Sequence, residues 1–175
     1  MKRIIETERL FLRELMKSDK DELAKILSDP ESMIFYPEPF SKKKVEDWIE
    51  WNIDNYNNYN HGLWAVILKN ENIFLGDCGI TLQEIEGEKL PEVGYHIKKE
   101  YCRNGYATEA AGACISYAFR NLDYDRLYTY TKHDNIASIR VAEKTGMKYV
   151  KEFQKVVTGT IVNEVLYCIH RQNIT

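Results

Sequence analysis

The sequence lacks the features that membrane, secreted and metal-binding proteins share. Its longest strongly apolar runs, Leu63 to Leu68 and Ala110 to Ile115, are far shorter than the about 20 residues that span a bilayer. The N-terminus shows no apolar stretch of a signal peptide, and the four cysteines form no C-x-x-C pair, so we expect reduced thiols in a cytoplasmic protein. His61, His133 and His170 are scattered, and no metal site is predicted.

A strong excess of charge of either sign is also absent. Lys and Arg number 24 and Asp and Glu number 27, which leaves a net charge of −3 and no basic footprint for a nucleic acid. Hydrophobic residues make up 44% of the 175 residues and charged residues 29%, which is typical of a folded domain. No Pro-, Gly- or Ser-rich linker and no internal repeat divides the chain. We therefore predict one domain over residues 1–175.

Hydrophobic periodicity predicts a mixed α/β (α+β) fold in the order β-α-α-β-β-β-α-β-α-β-β. The predicted strands share alternating or continuous apolar patterns and are Arg9–Glu14, Leu63–Lys69, Ile73–Leu82, Glu92–Lys98, Arg126–Lys132, Tyr149–Val157 and Ile161–His170. The predicted helices share apolar residues at helical spacing and run from a Ser18 cap to Leu27, from a Ser41 cap to Tyr56, over Gly105–Arg120, and from Asp134 or Asn135 to Gly146. An acidic turn, Glu84 to Pro91, is expected between the third and fourth strands.

The junction after the fourth strand is suited to a phosphate ligand. Arg103 to Ala107 lie between this strand and a helix start, where unpaired N–H groups and the helix dipole favour an anion. Gly105 lets the backbone approach a ligand, and the small Ala107 leaves room for it. The loop matches neither G-x-G-x-x-G nor G-x-x-x-x-G-K-S/T, which disfavours a dinucleotide fold or a P-loop. On these residues alone, a structural turn without a ligand is an equal alternative.

Two blocks of the sequence resemble the GNAT superfamily of N-acetyltransferases. Cys102-Arg-Asn-Gly-Tyr-Ala is similar to its coenzyme-A signature Q/R-x-x-G-x-G/A, and Asn135-Ile-Ala-Ser-Ile-Arg-Val-Ala-Glu-Lys-Thr-Gly-Met is similar to a second family block. Pro91-Glu-Val-Gly-Tyr-His-Ile and the opening Glu6-Thr-Glu-Arg-Leu-Phe-Leu-Arg resemble the RimJ/RimL-like branch of ribosomal-protein N-terminal acetyltransferases. The match covers nearly the whole chain. It departs from the signature at Cys102, where the family usually has Gln or Arg, so a reactive Cys102 is a minor alternative.

The resemblance implies acetyl-CoA as the co-substrate. The implied coenzyme contacts lie on the fourth strand, the loop after it and the next two helices, and they are His96, Ile97, Arg103, Asn104, Gly105, Tyr106, Ala107, Thr108, Asn135 and Arg140. A bulge near Val93 to Tyr95 would splay the fourth strand from the fifth, so that the pantetheine arm pairs with the open edge and the Ile97 N–H meets the acetyl carbonyl. Alternatively, Asn135 is a plain helix cap, a role that can also hold together with the coenzyme contact, and Arg140 is solvated.

For catalysis, Glu92 is the first candidate to accept the proton of the amine, through water, because a protonated amine cannot attack a thioester. Asp77, His96 and bulk water are alternatives, and Glu92 is otherwise a surface residue beside a proline turn. Ser138 matches a family position proposed as the general acid for the departing thiolate, and is otherwise a ligand to the sulfur or a packed helix residue. A G-x-S-x-G elbow is absent, which excludes a serine hydrolase of that type.

We therefore predict a cytoplasmic, acetyl-CoA-dependent N-acetyltransferase, monomeric or homodimeric, that acts by direct attack of a primary amine in a ternary complex. No metal, nucleic-acid or membrane partner is expected. The rivals are a non-catalytic acyl-CoA-binding module and a transferase of another acyl group such as succinyl. The acceptor is predicted to be cationic, either a small amine or a protein N-terminus. Aromatic and acidic residues expected at the acceptor cleft support this: Tyr36, Glu38, Trp48, Trp51, Glu84, Glu86 and Glu88.

Overall fold

An eight-stranded mixed sheet with helices on both faces organises the protein in a computed structural model that describes residues 3–173. The strands are β1 (Arg3–Glu6), β2 (Leu10–Glu14), β3 (Leu63–Leu68), β4 (Ile73–Ile85), β5 (Glu88–Ile97), β6 (Arg126–Thr131), β7 (Lys148–Val157) and β8 (Thr160–His170). The helices are α1 (Lys20–Leu27), α2 (Lys42–Tyr59), α3 (Tyr106–Asn121) and α4 (Ile136–Lys144). The strand order is β1-β2-β3-β4-β5-β6-β8-β7, and of the described strand pairs only β5 and β6 run parallel. The predicted mixed α/β fold is confirmed.

The N-terminal strand β1 was not predicted from the sequence. It pairs antiparallel with β2, from Arg3 opposite Arg13 to Glu6 opposite Phe11. Its four residues, Arg-Ile-Ile-Glu, are too few to show an alternating pattern. The other seven strands and the four helices occur in the predicted order.

Of the serine caps predicted for the first two helices, one is confirmed and the other is wrong. Ser41 caps α2 as predicted, because its Oγ accepts the Lys44 N–H at 3.2 Å. Ser18 does not cap α1, since it lies within a short 3₁₀ turn, Lys17–Asp19, that precedes the helix. The buried Asp19 accepts two hydrogen bonds from Arg13, at 2.6 and 2.7 Å, and this bidentate ion pair anchors the turn to β2.

The β4–β5 hairpin corrects two further predictions. The expected acidic turn Glu84 to Pro91 is wrong, because both strands continue to a two-residue turn at Glu86 and Gly87, whose φ angles are 51° and 84°. The expected bulge near Val93 to Tyr95 is also wrong, because the register between β4 and β5 runs unbroken along its whole length. The regular ribbon keeps every second side chain of β5 on the same face of the sheet.

The helices cover the two faces of the sheet unequally. α3 packs on one face through a stripe of small residues that are at most 1% exposed, namely Ala110, Ala111, Cys114 and Ala118. α1 and α2 pack on the opposite face, where Leu23 and Ile49 share a buried cluster with Ala65 and Ile67 of β3. A third apolar cluster, on β4 and β6 to β8, includes no helix residue within the described part of the chain. No helix of the described chain therefore contributes to this cluster on the half of the second face beyond α2, which we call the open face.

Candidate active site

The parallel strands β5 and β6 separate near the middle of β5. Within residues 3–173 they pair only where Glu92 lies opposite Tyr128. The Lys98 N–H donates to Leu75 O on β4 at 2.8 Å, and successive N–H groups of a strand point to opposite edges. The N–H of Ile97 therefore points away from β4, toward the gap. The predicted splay of the central strands is confirmed, and it occurs without a bulge in β5.

The first turn of α3 presents backbone N–H groups that no side chain caps. Arg103 and Gly105 have φ angles of 65° and 80°, in the left-handed region that glycine adopts without strain. Gly105 is the N-cap residue of α3 and has no side chain to accept a hydrogen bond. The first-turn amides of Tyr106, Ala107 and Thr108 are therefore oriented for an anionic ligand.

Two polar side chains hold this loop in place. Asn104 Nδ2 donates to Tyr101 O at 3.2 Å and to Cys102 O at 3.1 Å, so the predicted coenzyme residue Asn104 uses its side chain within the loop. Arg9, directly before β2, donates to Asn104 O at 3.0 Å and to Glu109 Oε2 at 2.6 Å. Arg9 was not identified from the sequence, because its contribution depends on β2 lying beside α3.

The geometry of Cys102 argues against an activated thiol. Its Sγ lies 3.7 Å from Ile97 O and 3.5 Å from Lys98 O. Partial burial, and then the charge of Glu100, raises the pKa of the Cys102 thiol. Reactive cysteines instead have a lowered pKa, so the minor alternative of a reactive Cys102 is disfavoured.

A chain of hydrogen bonds links α2, β4, β5 and the loop before α2. Asp77 on β4 is fully buried, and one of its oxygens accepts the Trp48 Nε1–H at 3.1 Å. The other oxygen is 2.7 Å from His96 Nδ1, and His96 Nε2 is 2.6 Å from the Tyr36 hydroxyl. The side chain of His96, predicted to contact the coenzyme, therefore lies on the α2 side of β5 and bonds to protein groups.

These contacts disfavour two of the alternative bases. Burial lowers the pKa of His96, but the charge and hydrogen bond of Asp77 oppose burial, and the net effect raises the pKa. Both ring nitrogens of His96 are engaged, Nδ1 with Asp77 and Nε2 with the Tyr36 hydroxyl, so neither is free to take the proton of an amine. Both oxygens of Asp77 are occupied, and the residue has no exposed surface.

Glu92 has the properties of a general base. It lies on the same face of β5 as His96, because the unbroken strand keeps residues four apart on one side. Thr81 Oγ1 donates to Glu92 Oε2 at 3.3 Å. Burial raises the pKa of Glu92 to about 7, although Lys155, Thr81 and His96 oppose the increase. A carboxyl group that titrates near neutral pH is matched to proton transfer at physiological pH.

A pair of hydroxyl groups lies on the opposite face of β5. The Tyr95 hydroxyl is 2.9 Å from Ser138 Oγ and 3.0 Å from Ser138 O. The Ser138 N–H donates to Asn135 Oδ1 at 3.2 Å, so Asn135 caps α4, as one of the two sequence interpretations held. Arg140 is exposed on the same helix. Since successive residues of β5 face opposite sides, Glu92 and the Tyr95–Ser138 pair lie on two sides of the gap.

The aromatic side chains predicted at the acceptor cleft surround His96. The Tyr36 and Trp48 rings lie 5.7 and 6.0 Å from the His96 ring, measured between centroids. The Trp51 ring lies 5.1 Å from that of Trp48, and Glu38 is exposed in the preceding loop. The structure thus brings these rings together as one wall of the open face.

The predicted acidic run, Glu84 to Glu88, lies elsewhere. It occupies the tip of the β4–β5 hairpin, where Glu86 forms an ion pair with Lys151 of β7. Glu88 precedes His96 by eight residues, which is about 26 Å along an extended strand. The acidic run and the aromatic wall are therefore not parts of one binding surface.

Three further side chains of the open face were not identified from the sequence as site residues, namely Lys155, Tyr130 and Glu164. Lys155 on β7 donates through Nζ to the Tyr130 hydroxyl oxygen on β6 at 2.5 Å. Glu164 on β8 is buried, which raises its pKa, and its Oε2 lacks a hydrogen-bond partner among the described residues. Strand alternation could have identified Lys155, because it lies two residues after the buried Phe153 and therefore on the same face of the sheet.

Metal and membrane features do not occur between Arg3 and Asn173. No cluster of His, Cys, Asp and Glu suited to a metal ion is present there, and no helix there has the length and apolar character to cross a membrane. His61 is engaged structurally, with its ring nitrogens 2.8 Å from Ile80 O and 2.8 Å from the Tyr124 hydroxyl.

Comparisons of sequence find relatives along most of the chain. Residues 9–148 match the family profile described as Acetyltransferase (GNAT) domain. The chain is 38% identical to YkkB of Bacillus subtilis over 150 residues, which are 85% of this chain and 87% of that protein. It is 30% identical over 154 residues to the N-acetyltransferase YnaD of the same organism, with 87% of each chain covered.

Comparisons of structure find the same fold. A GNAT-family acetyltransferase from Bacillus anthracis superposes with a TM-score of 0.81 at 28% identity, over 96% of this chain and 98% of that one. RimL, a ribosomal L7/L12 α-N-protein acetyltransferase in complex with coenzyme A, superposes with a TM-score of 0.79 over 97% and 98% of the two chains. At 16% identity, the likeness to RimL shows the fold alone.

Proposed function

Because the chain belongs to the GNAT acetyltransferase family, we propose that it transfers the acetyl group of acetyl-CoA to a primary amine by direct attack in a ternary complex. Family membership confirms the resemblance drawn from the two sequence blocks, and relatives named N-acetyltransferases support the same enzyme class. One observation carries the proposed mechanism. Glu92, whose pKa burial raises to about 7, lies where β5 and β6 separate.

The α3 side of the gap fits acetyl-CoA. The amides of residues 105–108 would hold the diphosphate, since anions bind at helix N-termini. A Cβ added at Gly105 would meet only Arg9 Nη2, at 3.4 Å, so the space before the helix is open. The free edge of β5 would pair with the pantetheine arm, and the Ile97 N–H would donate to the thioester carbonyl. The remaining proposed coenzyme contacts are Arg103, Asn135 and Arg140. The side chains of His96 and Asn104, which were also predicted from the sequence, bond within the protein instead.

The acceptor amine would enter from the α2 side, where Glu92 receives its proton through water. The neutral nitrogen then attacks the thioester carbon, a C–N bond forms, and the C–S bond breaks. Ser138, with Tyr95 bonded to it, would bind the departing sulfur or donate a proton to it. A coenzyme thiol has a pKa near 8.5, like that of cysteine, so this departure needs only modest help.

We further propose a cationic primary amine as the acceptor, either a small amine or a protein N-terminus. The Tyr36 and Trp48 rings offer faces that attract a cation, and Glu92 and Glu164 supply carboxyl groups on the same open face. The acidic run at the hairpin tip contributes little, because about 26 Å exceeds the screening length of about 8 Å at physiological ionic strength.

A thiol-release assay on residues 1–175, which we treat as one domain, tests the proposal. Acetyl-CoA should raise the melting temperature, since it binds only the folded state, and should release free thiol when cationic amines or N-terminal peptides are added. Stabilisation without release on any amine would favour the non-catalytic acyl-CoA-binding module. Faster release from succinyl-CoA would favour another acyl group, and the absence of any stabilisation would contradict coenzyme binding.

A further inference from the structure

The turn between β1 and β2 holds a carboxylate of α3 with three hydrogen-bond donors. Thr7 Oγ1 and the Arg9 backbone N–H donate to Glu109 Oε1, at 2.6 and 3.0 Å. The Arg9 side chain donates through Nε to Glu109 Oε2 at 2.6 Å. Glu109 lies in the first turn of α3, whereas Thr7 and Arg9 lie in the opening block of the sequence, Glu6 to Arg13. The opening block is therefore tied to the start of the helix that is proposed to bind the coenzyme.

Arg9 also bonds the loop that precedes α3. Its Nη1 donates to Asn104 O at 3.0 Å, and its guanidinium carbon is 4.6 Å from the centroid of the Tyr106 ring. Its Nη2 would lie 3.4 Å from a Cβ built on Gly105, the N-cap residue of α3. Because the guanidinium is a planar fork of several donors, one side chain reaches the loop, the N-cap and the first turn together.

The loop, residues 102–105, has few other contacts that fix its shape. All four residues are exposed, so apolar packing does not hold them. Arg103 has a φ of 65°, which a residue other than glycine adopts at an energetic cost. The Asn104 side chain bonds to carbonyl groups of the same segment. Among the residues from 3 to 173, Arg9 is the one side chain outside residues 97–109 that hydrogen-bonds to this loop.

Arg9 also neutralises a charge that would oppose an anionic ligand. Burial raises the pKa of Glu109, but the hydrogen bonds from Thr7 and Arg9 and the charge of Arg9 outweigh burial and lower the pKa. Glu109 is therefore ionised at neutral pH. Without Arg9, this charge would lie unpaired in the same helical turn as the amides proposed to hold the diphosphate, and it would repel that group.

We propose that Arg9 is a positioning residue for acetyl-CoA, which acts through Asn104 and Glu109 to fix the loop before α3 and to cancel the negative charge of its first turn. The proposal rests on the coenzyme site proposed above and adds to it a residue from the far end of the chain. Arg9 supports the groups that contact the coenzyme and is not counted among those contacts. The opening block of the sequence thereby gains a function.

Titration calorimetry of the whole chain with acetyl-CoA tests the proposal. Each variant is measured well below its melting temperature, with circular dichroism to confirm the fold. Arg9→Ala should weaken binding by at least about tenfold, which is the scale of one lost hydrogen bond to a charged group. Arg9→Lys should recover part of this loss, because lysine restores the charge beside Glu109 without the fork that also reaches Asn104.

Arg3→Ala is the matched control. Arg3 also forms an ion pair with a glutamate, Glu6, at 2.9 Å, and it also lies over an aromatic ring, that of Phe11. These partners belong to β1 and β2 and not to the loop or α3. The affinity for acetyl-CoA should therefore change by less than about twofold in Arg3→Ala.

Three results would overturn the role of Arg9 alone while wild-type binding stands. They are an affinity of Arg9→Ala within about twofold of the wild type, no recovery in Arg9→Lys, and an effect of Arg9→Ala that is equal in the wild-type and Glu109→Gln backgrounds. If Arg9→Ala does not fold, Arg9→Lys decides: it should bind at least about threefold more weakly than the wild type, and wild-type affinity in it overturns the proposal. Absence of acetyl-CoA binding by the wild type would instead reject the coenzyme site, and the role of Arg9 with it.

Discussion

Replacing Glu92 with glutamine should stabilise the folded protein, and the gain should depend on pH. Burial raises the pKa of Glu92 from its ordinary 4.5 to about 7. The stability that its protonated form contributes is complete below pH 4.5 and is lost as the pH rises through about 7, because ionisation then costs more in the folded chain than in the unfolded one. The pKa difference corresponds to about 3 kcal/mol. Glutamine keeps a similar shape and never ionises.

Urea unfolding of both proteins at pH 4.5, 6, 7 and 8 measures this effect. The stability of Glu92→Gln relative to the wild type should rise by about 3 kcal/mol across the series, which for a chain of this length is about 6–12 °C in melting temperature. Glu88→Gln is the matched control, because Glu88 is exposed on the same face of the same strand, and it should change stability by less than about 0.5 kcal/mol. A difference between Glu92→Gln and the wild type that is constant with pH would refute the reasoning.

Coenzyme binding, departure of the thiol and acceptor charge each have a direct test. Gly105→Asp should remove the rise in melting temperature caused by acetyl-CoA, because it places a carboxylate at the proposed diphosphate site. The control Gly87→Asp, at a turn glycine with a similar φ of 84°, should retain that rise. If both variants retain the rise, the coenzyme binds elsewhere. Ser138→Ala and Tyr95→Phe should each lower kcat by less than about tenfold, because a thiol with a pKa near 8.5 leaves as the thiolate with little assistance. A thousandfold loss of kcat in either variant would show that proton donation to the sulfur is essential. For a cationic acceptor, kcat/KM should fall as salt rises, because salt screens the attraction between exposed charges; activity confined to neutral or anionic amines would reject the proposed acceptor class.

The element order was predictable because most segments have a strong hydrophobic period. The hairpin tip was not, since Glu84, Glu86 and Glu88 lie at the exposed end of a ribbon and its pattern resembles a loop. Only cross-strand pairing extends β4 and β5 there. The Glu86-Gly87 pair was the available signal in the sequence for a tight hairpin, because a two-residue turn there sets the register of both strands.

The site was predictable to the extent that sequence blocks mark it. Glu92 and Ser138 stand in such blocks, and their roles stay predictions until tested. The contacts that disfavour Asp77 and His96 as bases, and so favour Glu92, depend instead on strand register and topology. Asp77 meets His96 only because they are opposite in the β4–β5 ladder. Lys155 reaches Tyr130 of β6 only because β7 and β6 both pair with β8.

The most direct test of the account is the turnover number of Glu92→Gln with a reactive amine and saturating acetyl-CoA, measured beside Glu88→Gln. If Glu92 accepts the amine proton, kcat should fall by about 10²–10⁴ in Glu92→Gln, while the melting-temperature shift caused by acetyl-CoA stays at the wild-type value. Glu88→Gln should retain wild-type turnover. A near-normal kcat in Glu92→Gln, with coenzyme bound, would contradict the account and transfer proton acceptance to water or another group.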